Sequence, residues 1–139
     1  MRRYLVVGHR TLGGAHLVEH LRELRAQASD CEFHVLVPEY AAPGWADFEI
    51  RAEAEARLRD MLKRLSAMGL GATGEVGTAD PVLATTRVVD REDEGWFAGI
   101  VLSTLPKQFS QWWNVADDLS EALPSIPLTH LVADRAFAG

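Results

Sequence analysis

Several protein classes are excluded by what this 139-residue sequence lacks. Its one cysteine, Cys31, cannot form a disulfide within the chain, so we expect a cytoplasmic protein in which Cys31 is a small, partly buried residue. No apolar run approaches the roughly 20 residues of a membrane span. Only Tyr4–Val7 separate Arg2 and Arg3 from the next polar residues, which predicts no signal peptide. We therefore expect no membrane partner.

Positive charge is also scarce. The sequence has 14 lysines and arginines against 20 aspartates and glutamates, which gives a formal net charge of −6. An acidic chain is repelled by a phosphate backbone. The basic residues alternate with acids along the predicted helices, as on solvent-exposed faces. We expect no nucleic acid partner.

Glycine is absent between Gly99 and Gly139, and the common catalytic motifs are missing. The sequence contains neither a Walker motif nor a dinucleotide-binding glycine pattern. Ser103 is not flanked by the glycines of a nucleophile elbow. Turnover needs a positioned base or nucleophile with a partner, and no such pair stands out. We therefore nominate no catalytic residue.

The sequence instead contains short apolar runs that alternate with helical periodicity. This alternation predicts an α/β protein with a doubly wound, five-stranded parallel sheet in a single domain, residues 1–139. We expect strands at Tyr4–Val7, Phe33–Val37, Thr73–Val76, Gly99–Leu102 and Leu128–Val132. We expect helices at Ala15–Ala28, at Phe48–Met68, from Pro81 to the charged segment Asp90–Gly95, and at Phe109–Leu123. An interruption of the last helix at Asn114 is the alternative. The third strand is short and polar, which favours an edge position.

Polar residues and glycines follow the first and fourth strands, where α/β sheets bind ligands. The glycines and a helix N-terminus supply N–H donors there, and two basic side chains supply positive charge, so we expect a cleft for a small anion or a nucleotide. A capped helix start with solvated side chains is an equal alternative. The candidate ligand-binding residues are Gly8, His9, Arg10, Thr11, Gly13, Gly14, Val37, Ser103, Thr104 and Lys107.

Two histidines form a His-x-x-Glu-His pattern, His16 to His20, which is a zinc signature in some metallopeptidases. Leu17, Leu21 and Leu24 define the buried face of the same helix and leave both histidines on its flank. We expect no metal site.

The remaining aromatic candidates have structural interpretations. His34 and His130 lie in predicted strands and are expected to be packed or hydrogen-bonded there. Trp112 and Trp113 are expected to pack a helix onto the sheet. An aromatic wall of a ligand site is the alternative for the two tryptophans.

Three segments resemble the universal stress protein domain. Tyr4–Thr11 resembles its first strand and turn, Gly77–Pro81 resembles its Gly-Asp-Pro helix start with two extra residues, and Ile100–Pro106 with Ser125–Pro127 resembles its last βαβ unit. The order and length of elements agree over nearly the full chain. The resemblance implies a three-layer, adenine-nucleotide-hydrolase-like fold with sheet order 3-2-1-4-5. It also implies a homodimer through the fifth strand, residues Leu128, Thr129, His130, Leu131 and Val132.

Many members of that family bind ATP through an aspartate after the first strand and a glycine-rich loop after the fourth. His9, Ser103 and Pro106 stand where the aspartate and the first two glycines would be. Because proline has no N–H to offer a phosphate, we predict a diverged member without a cofactor that binds ATP poorly. We expect a non-catalytic, regulatory or stress-related protein. The alternative is a nucleotide- or small-anion-binding protein or an enzyme that uses the region of His9 and Ser103.

Overall fold

A computed structural model describes residues 1–133 of the chain. The expected domain also includes residues 134–139, which lie outside the described residues. The strands are β1 (Arg2–Val7), β2 (Cys31–Pro38), β3 (Ala72–Gly77), β4 (Gly99–Thr104) and β5 (Leu128–Val132). The α-helices are α1 (Ala15–Gln27), α2 (Asp47–Ala67), α3 (Pro81–Asp90) and α4 (Val115–Ala122), and a short 3-10 helix spans Lys107–Phe109.

All five strands form one parallel sheet in the order β3-β2-β1-β4-β5. The sheet order and the alternation of strands and helices confirm the expected fold class. The chain winds outwards from β1 in both directions, so β1 and β4 are neighbours with their connections on opposite faces. The polar strand β3 lies at one edge, as predicted, and β5 lies at the other.

Helices α1 and α2 cover one face of the sheet. The apolar periodicity of both helices places their aliphatic side chains against alternate residues of β1 and β2. This side of the core contains Val6, Leu17, Leu21, Phe33, Val35, Val37, Ala54, Met61 and Leu65.

Helices α3 and α4 cover the opposite face and complete the three layers. This second part of the core contains Leu5, Val7, Leu36, Ala84, Val88, Ile100, Leu102, Val115 and Leu119. The aliphatic runs Leu5–Val7 of β1 and Ile100–Leu102 of β4 are buried on both faces of the sheet, which explains why apolar residues follow one another there without alternation.

Local signals fix several boundaries. The Asp80 carboxylate accepts hydrogen bonds from the N–H groups of Val82 and Leu83, and Pro81 occupies the first turn, so α3 begins where the sequence predicts. Helix α2 ends before Gly69, whose φ of 74° is a left-handed conformation that glycine adopts without strain.

The predicted helix Phe109–Leu123 is wrong over its first half. The Ser110 hydroxyl accepts a hydrogen bond from the Trp112 N–H and forms a turn that competes with helix, so α4 begins only at Val115. Trp112 is buried as expected, but Trp113 is 60% exposed and Phe109 is 66% exposed. The expected core position of Trp113 is therefore wrong.

The single cysteine lies in the core, and the helices are short or polar. Cys31 lies buried at the start of β2, and burial raises the pKa of its thiol. Among residues 1–133, no helix combines the length and the apolar character that crossing a bilayer requires.

Candidate functional site

The site lies at the carboxyl ends of β1 and β4. There, the chain segments that follow the two strands pass to opposite faces of the sheet. The turn that follows β1 and the segment that follows β4 enclose a cavity of about 20 Å³. Hydroxyl groups, one imidazole and three apolar or aromatic side chains line it: His9, Arg10, Thr11, Tyr40, Ser103, Thr104, Leu105, Ser110 and Trp112. A cavity of this size holds about one water molecule.

His9 is the most unusual residue of the cavity. Its side chain is only 2% exposed, and its ring lies 5.2 Å from the ring of Tyr40. Burial, and to a smaller extent the nearby Arg57 guanidinium, lowers the pKa of His9 from its usual 6.5 to about 4. Neither ring nitrogen has a hydrogen-bond partner within residues 1–133. A neutral imidazole offers one donor and one acceptor, and burying both without partners costs free energy.

Ser103 connects the two strands through its hydroxyl group. Its Oγ lies 2.5 Å from Thr11 Oγ1 and 3.1 Å from His16 Nε2. Ser103 and Thr11 are buried, and His16 belongs to the first turn of α1. From the sequence, His16 was considered only as a candidate zinc ligand, and the contact of His16 with Ser103 was not predicted. The only available signal was the position of His16 in the first turn of α1, the helix that follows the carboxyl end of β1.

Arginines of α2 hold the turn after β1 in place. Arg57 donates to the His9 carbonyl oxygen at 3.5 Å and contacts the Glu53 carboxylate at 3.0 Å. Arg64 donates to the Gly13 carbonyl oxygen at 3.0 Å. Sequence reasoning assigned the basic residues of this helix to a solvent-exposed face, so their contacts with the turn after β1 were missed.

The ten predicted ligand-binding residues do not all reach the cavity. Five of them line it: His9, Arg10, Thr11, Ser103 and Thr104. Gly8 packs closely, since a Cβ there would lie 2.9 Å from Leu12, and Gly14 is the N-cap of α1. Gly13 accepts the Arg64 hydrogen bond, whereas Val37 is part of the core. Lys107 points elsewhere, with Nζ 5.4 Å from the centre of the Trp113 ring.

The other histidines have hydrogen-bond partners. His34 contacts the Thr73 hydroxyl and the Glu75 carboxylate, each at 2.7 Å, and His130 Nε2 contacts Thr104 Oγ1 at 2.7 Å. Burial lowers the pKa of His130. Throughout the described part of the chain, no three His, Cys, Asp or Glu side chains converge as a metal site would require.

Several features of the segment after β4 bear on whether it can hold a nucleotide triphosphate through backbone N–H groups. Pro106 has no N–H and leads directly into the 3-10 helix. The Ser103 hydroxyl is shared between Thr11 and His16. Asp117 and Asp118 add negative charge to the first turn of α4. A triphosphate is far larger than the cavity of about 20 Å³.

Comparisons with known proteins identify the fold. No model of a protein family matches the sequence, and no curated protein matches it either. A universal stress protein family protein from Burkholderia pseudomallei has a TM-score of 0.66 and 18% identity, and the match covers 94% of this chain and 96% of that one.

Two further structures are similar to the same extent. A universal stress protein family protein from Arabidopsis thaliana, with AMP bound, has a TM-score of 0.65 and 14% identity over 96% of this chain and 93% of that one. The universal stress protein from Archaeoglobus fulgidus has a TM-score of 0.63 and 15% identity over 94% and 93% of the two chains. This chain therefore has the fold of universal stress proteins.

Proposed function

We propose that this protein is a non-catalytic, universal-stress-protein-like domain with a regulatory or stress-related role. Its cleft between β1 and β4 binds a small polar ligand and binds ATP poorly. The observation that carries this proposal is His9, a buried imidazole that lines the cleft and whose two nitrogens have no hydrogen-bond partner among the described residues.

The chemistry of the cleft favours a small uncharged or singly charged ligand. Because His9 is neutral at physiological pH, its ring can accept one hydrogen bond and donate another. The Thr104 and Ser110 side chains also line the cavity, and Tyr40 and Trp112 supply aromatic walls. Arg10 lies beside Tyr40, with its guanidinium carbon 5.6 Å from the ring centre, and offers positive charge at the rim.

Titration with magnesium and ATP, and separately with AMP, tests the proposal by calorimetry. The loss of two or three charge-assisted hydrogen bonds, at about 1.5–3 kcal/mol each, predicts dissociation constants in the millimolar range or weaker. A low-micromolar constant that Ser103→Asp abolishes would overturn the proposal. It would also show that this protein accepts a nucleotide; the similar Arabidopsis structure has AMP bound.

A hydrolase is the second candidate function, and one contact favours it. His16 Nε2 lies 3.1 Å from Ser103 Oγ, a distance at which an imidazole can accept the proton of a serine nucleophile. Ser103 is, however, 1% exposed and shares its hydroxyl with Thr11, which favours a structural role. A fluorophosphonate probe distinguishes the two: we expect no labelling of Ser103. Labelling that His16→Gln removes would establish the hydrolase.

We also propose a homodimer through β5. This strand occupies a sheet edge, and Val132 is 51% exposed on it. An uncovered edge with apolar side chains promotes aggregation, and two such edges paired about a twofold axis would bury each other. The residues of this interface are Leu128, Thr129, His130, Leu131 and Val132.

A further inference from the structure

A second cavity, lined by charged side chains, lies at the end of the sheet opposite the cleft. It has a volume of about 200 Å³ and opens between the amino-terminal ends of β1, β2 and β3 and the C-terminal end of α3. The separation from the cleft is a full strand length. A ligand of this cavity would therefore be independent of the function proposed for His9 and Ser103.

The floor of the cavity is apolar and one wall is aromatic. Val88 and Phe97 form the floor with their buried side chains. Trp96 forms a wall, and the Arg3 guanidinium stacks over its ring at 3.8 Å from the centre. This stacking holds a positive charge at a fixed place beside an apolar surface.

A hydrogen-bonded chain fixes the second positive charge. Thr73 Oγ1 contacts His34 Nδ1 at 2.7 Å, and His34 Nε2 contacts Glu75 Oε2 at 2.7 Å. Arg91 donates to the same carboxylate oxygen at 2.5 Å. Because Glu75 holds only one side of the planar guanidinium fork, the remaining N–H groups of Arg91 can serve a ligand at the cavity.

The charges that line the cavity balance. Among the lining residues, Arg3 and Arg91 oppose Glu32 and Glu92. Glu75 adds a further carboxylate that is paired with Arg91. Arg3 and Glu32 are only loosely paired, with Nε and Oε2 3.9 Å apart. A simple anion would be repelled by the two carboxylates, and a simple cation by the two guanidinium groups. A molecule with both charges and an apolar body matches the lining.

We propose that this cavity binds a free amino acid with an apolar side chain. The ligand carboxylate binds the guanidinium groups of Arg3 and Arg91, and its ammonium group binds Glu92. Its side chain lies on the floor of Val88 and Phe97, beside the Trp96 wall. The site is a small-molecule sensor at the end of the domain opposite the cleft.

Nitrogen-15 NMR of the full chain, titrated with leucine and then phenylalanine, tests this proposal. We expect saturable shifts at Arg3, His34 and Trp96, and unchanged signals at His9 and Ser103. N-acetylleucine, leucine amide and 4-methylpentanoate each lack one charge. We expect each to bind at least about tenfold more weakly, because a charge-assisted hydrogen bond is lost.

Two variants locate the site. Arg91→Gln and Glu92→Gln should each weaken leucine binding at least about tenfold, whereas Arg87→Gln, an exposed arginine on the same helix that does not line the cavity, should leave it unchanged. The spectra themselves verify that each variant is folded. No saturable shift up to about 10 mM ligand, or equal binding of 4-methylpentanoate, would contradict the amino-acid site. Shifts confined to His9 and Ser103 would assign the ligand to the cleft instead.

Discussion

His9 should make the stability of the protein depend on pH. Its pKa is about 4 in the folded protein and near 6.5 when exposed, so the unfolded chain binds more protons between these values. The stability from the neutral, buried ring is complete above pH 6.5 and decreases as the pH falls towards 4. From about pH 7.5 to pH 5, we expect His9 to reduce the free energy of unfolding by about 2 kcal/mol.

Urea unfolding at both pH values measures this decrease, and His9→Gln supplies the control. Glutamine has a similar size and does not titrate, so the variant should lose about 2 kcal/mol less than the wild type over the same interval. Parallel pH profiles for the two proteins would show that the pKa of His9 is the same in the folded and unfolded states, against the lowered value expected here.

The hydrogen bond between Thr11 and Ser103 should appear as an energetic coupling. Ser103→Ala leaves the buried Thr11 hydroxyl without this partner, and we expect a loss of about 1–3 kcal/mol; Thr11→Val should cost a similar amount. Once one hydroxyl is gone, removing the other costs less. The double variant should therefore be more stable than the sum of the single effects implies, by about 0.5–3 kcal/mol in urea unfolding. Strict additivity would contradict this coupling.

At the scale of elements, the packing of α2 on β3 requires a glycine. A Cβ at Gly74 would lie 2.4 Å from Leu58 Cδ1 and 2.8 Å from the Val35 carbonyl oxygen. The leucine can move, but the backbone of β2 cannot move without disturbing the sheet. Gly74→Ala should thus reduce the free energy of unfolding by about 1–3 kcal/mol.

Gly71→Ala is the matched control for that variant. Gly71 precedes the same strand, and a Cβ added there would meet no heavy atom within 4 Å. We expect a change within about 0.5 kcal/mol in the same urea titration. Equal losses for the two variants would indicate a general cost of alanine near β3 rather than a clash with α2.

The elements differ in how far their sequences predict them. Aliphatic runs and the Asp80-Pro81 cap are local signals, and they place β4, β5 and the start of α3 correctly. The apolar periodicity of Phe109–Leu123 predicts a helix as clearly as the local signals of the other elements do. It cannot show that the Ser110 side chain forms a turn before the helix begins.

The candidate site was less predictable because its contacts are long-range. Ser103 and His16 are 87 residues apart, and only the sheet order brings them together. The general position of the cleft follows from the order of β1 and β4. Which polar atoms pair, and that Lys107 points to Trp113 instead, depends on side-chain packing that local sequence does not encode.

For the whole molecule, the proposed dimer gives a direct prediction. Light scattering at micromolar concentration should yield twice the mass of 15.3 kDa. Thr129→Lys places a charge in the middle of β5 and should give a monomer, because two like charges would face each other across the twofold axis.

Thr73→Lys is the control on the opposite edge strand, β3, and should leave the dimer intact. A monomeric wild type, or a dimer that survives Thr129→Lys and dissociates with Thr73→Lys, would assign the contact to another surface.

The two helical layers are unequal in length, and this inequality has a dynamic consequence. Helices α1 and α2 have 13 and 21 residues, whereas α3 and α4 have 10 and 8. Regions with less buried apolar surface open at lower free energy than the global unfolding transition. In the monomer, such as Thr129→Lys should give, the α4 and β5 unit should therefore be the first part to detach from the sheet. The helices α1 and α2 should remain packed longest.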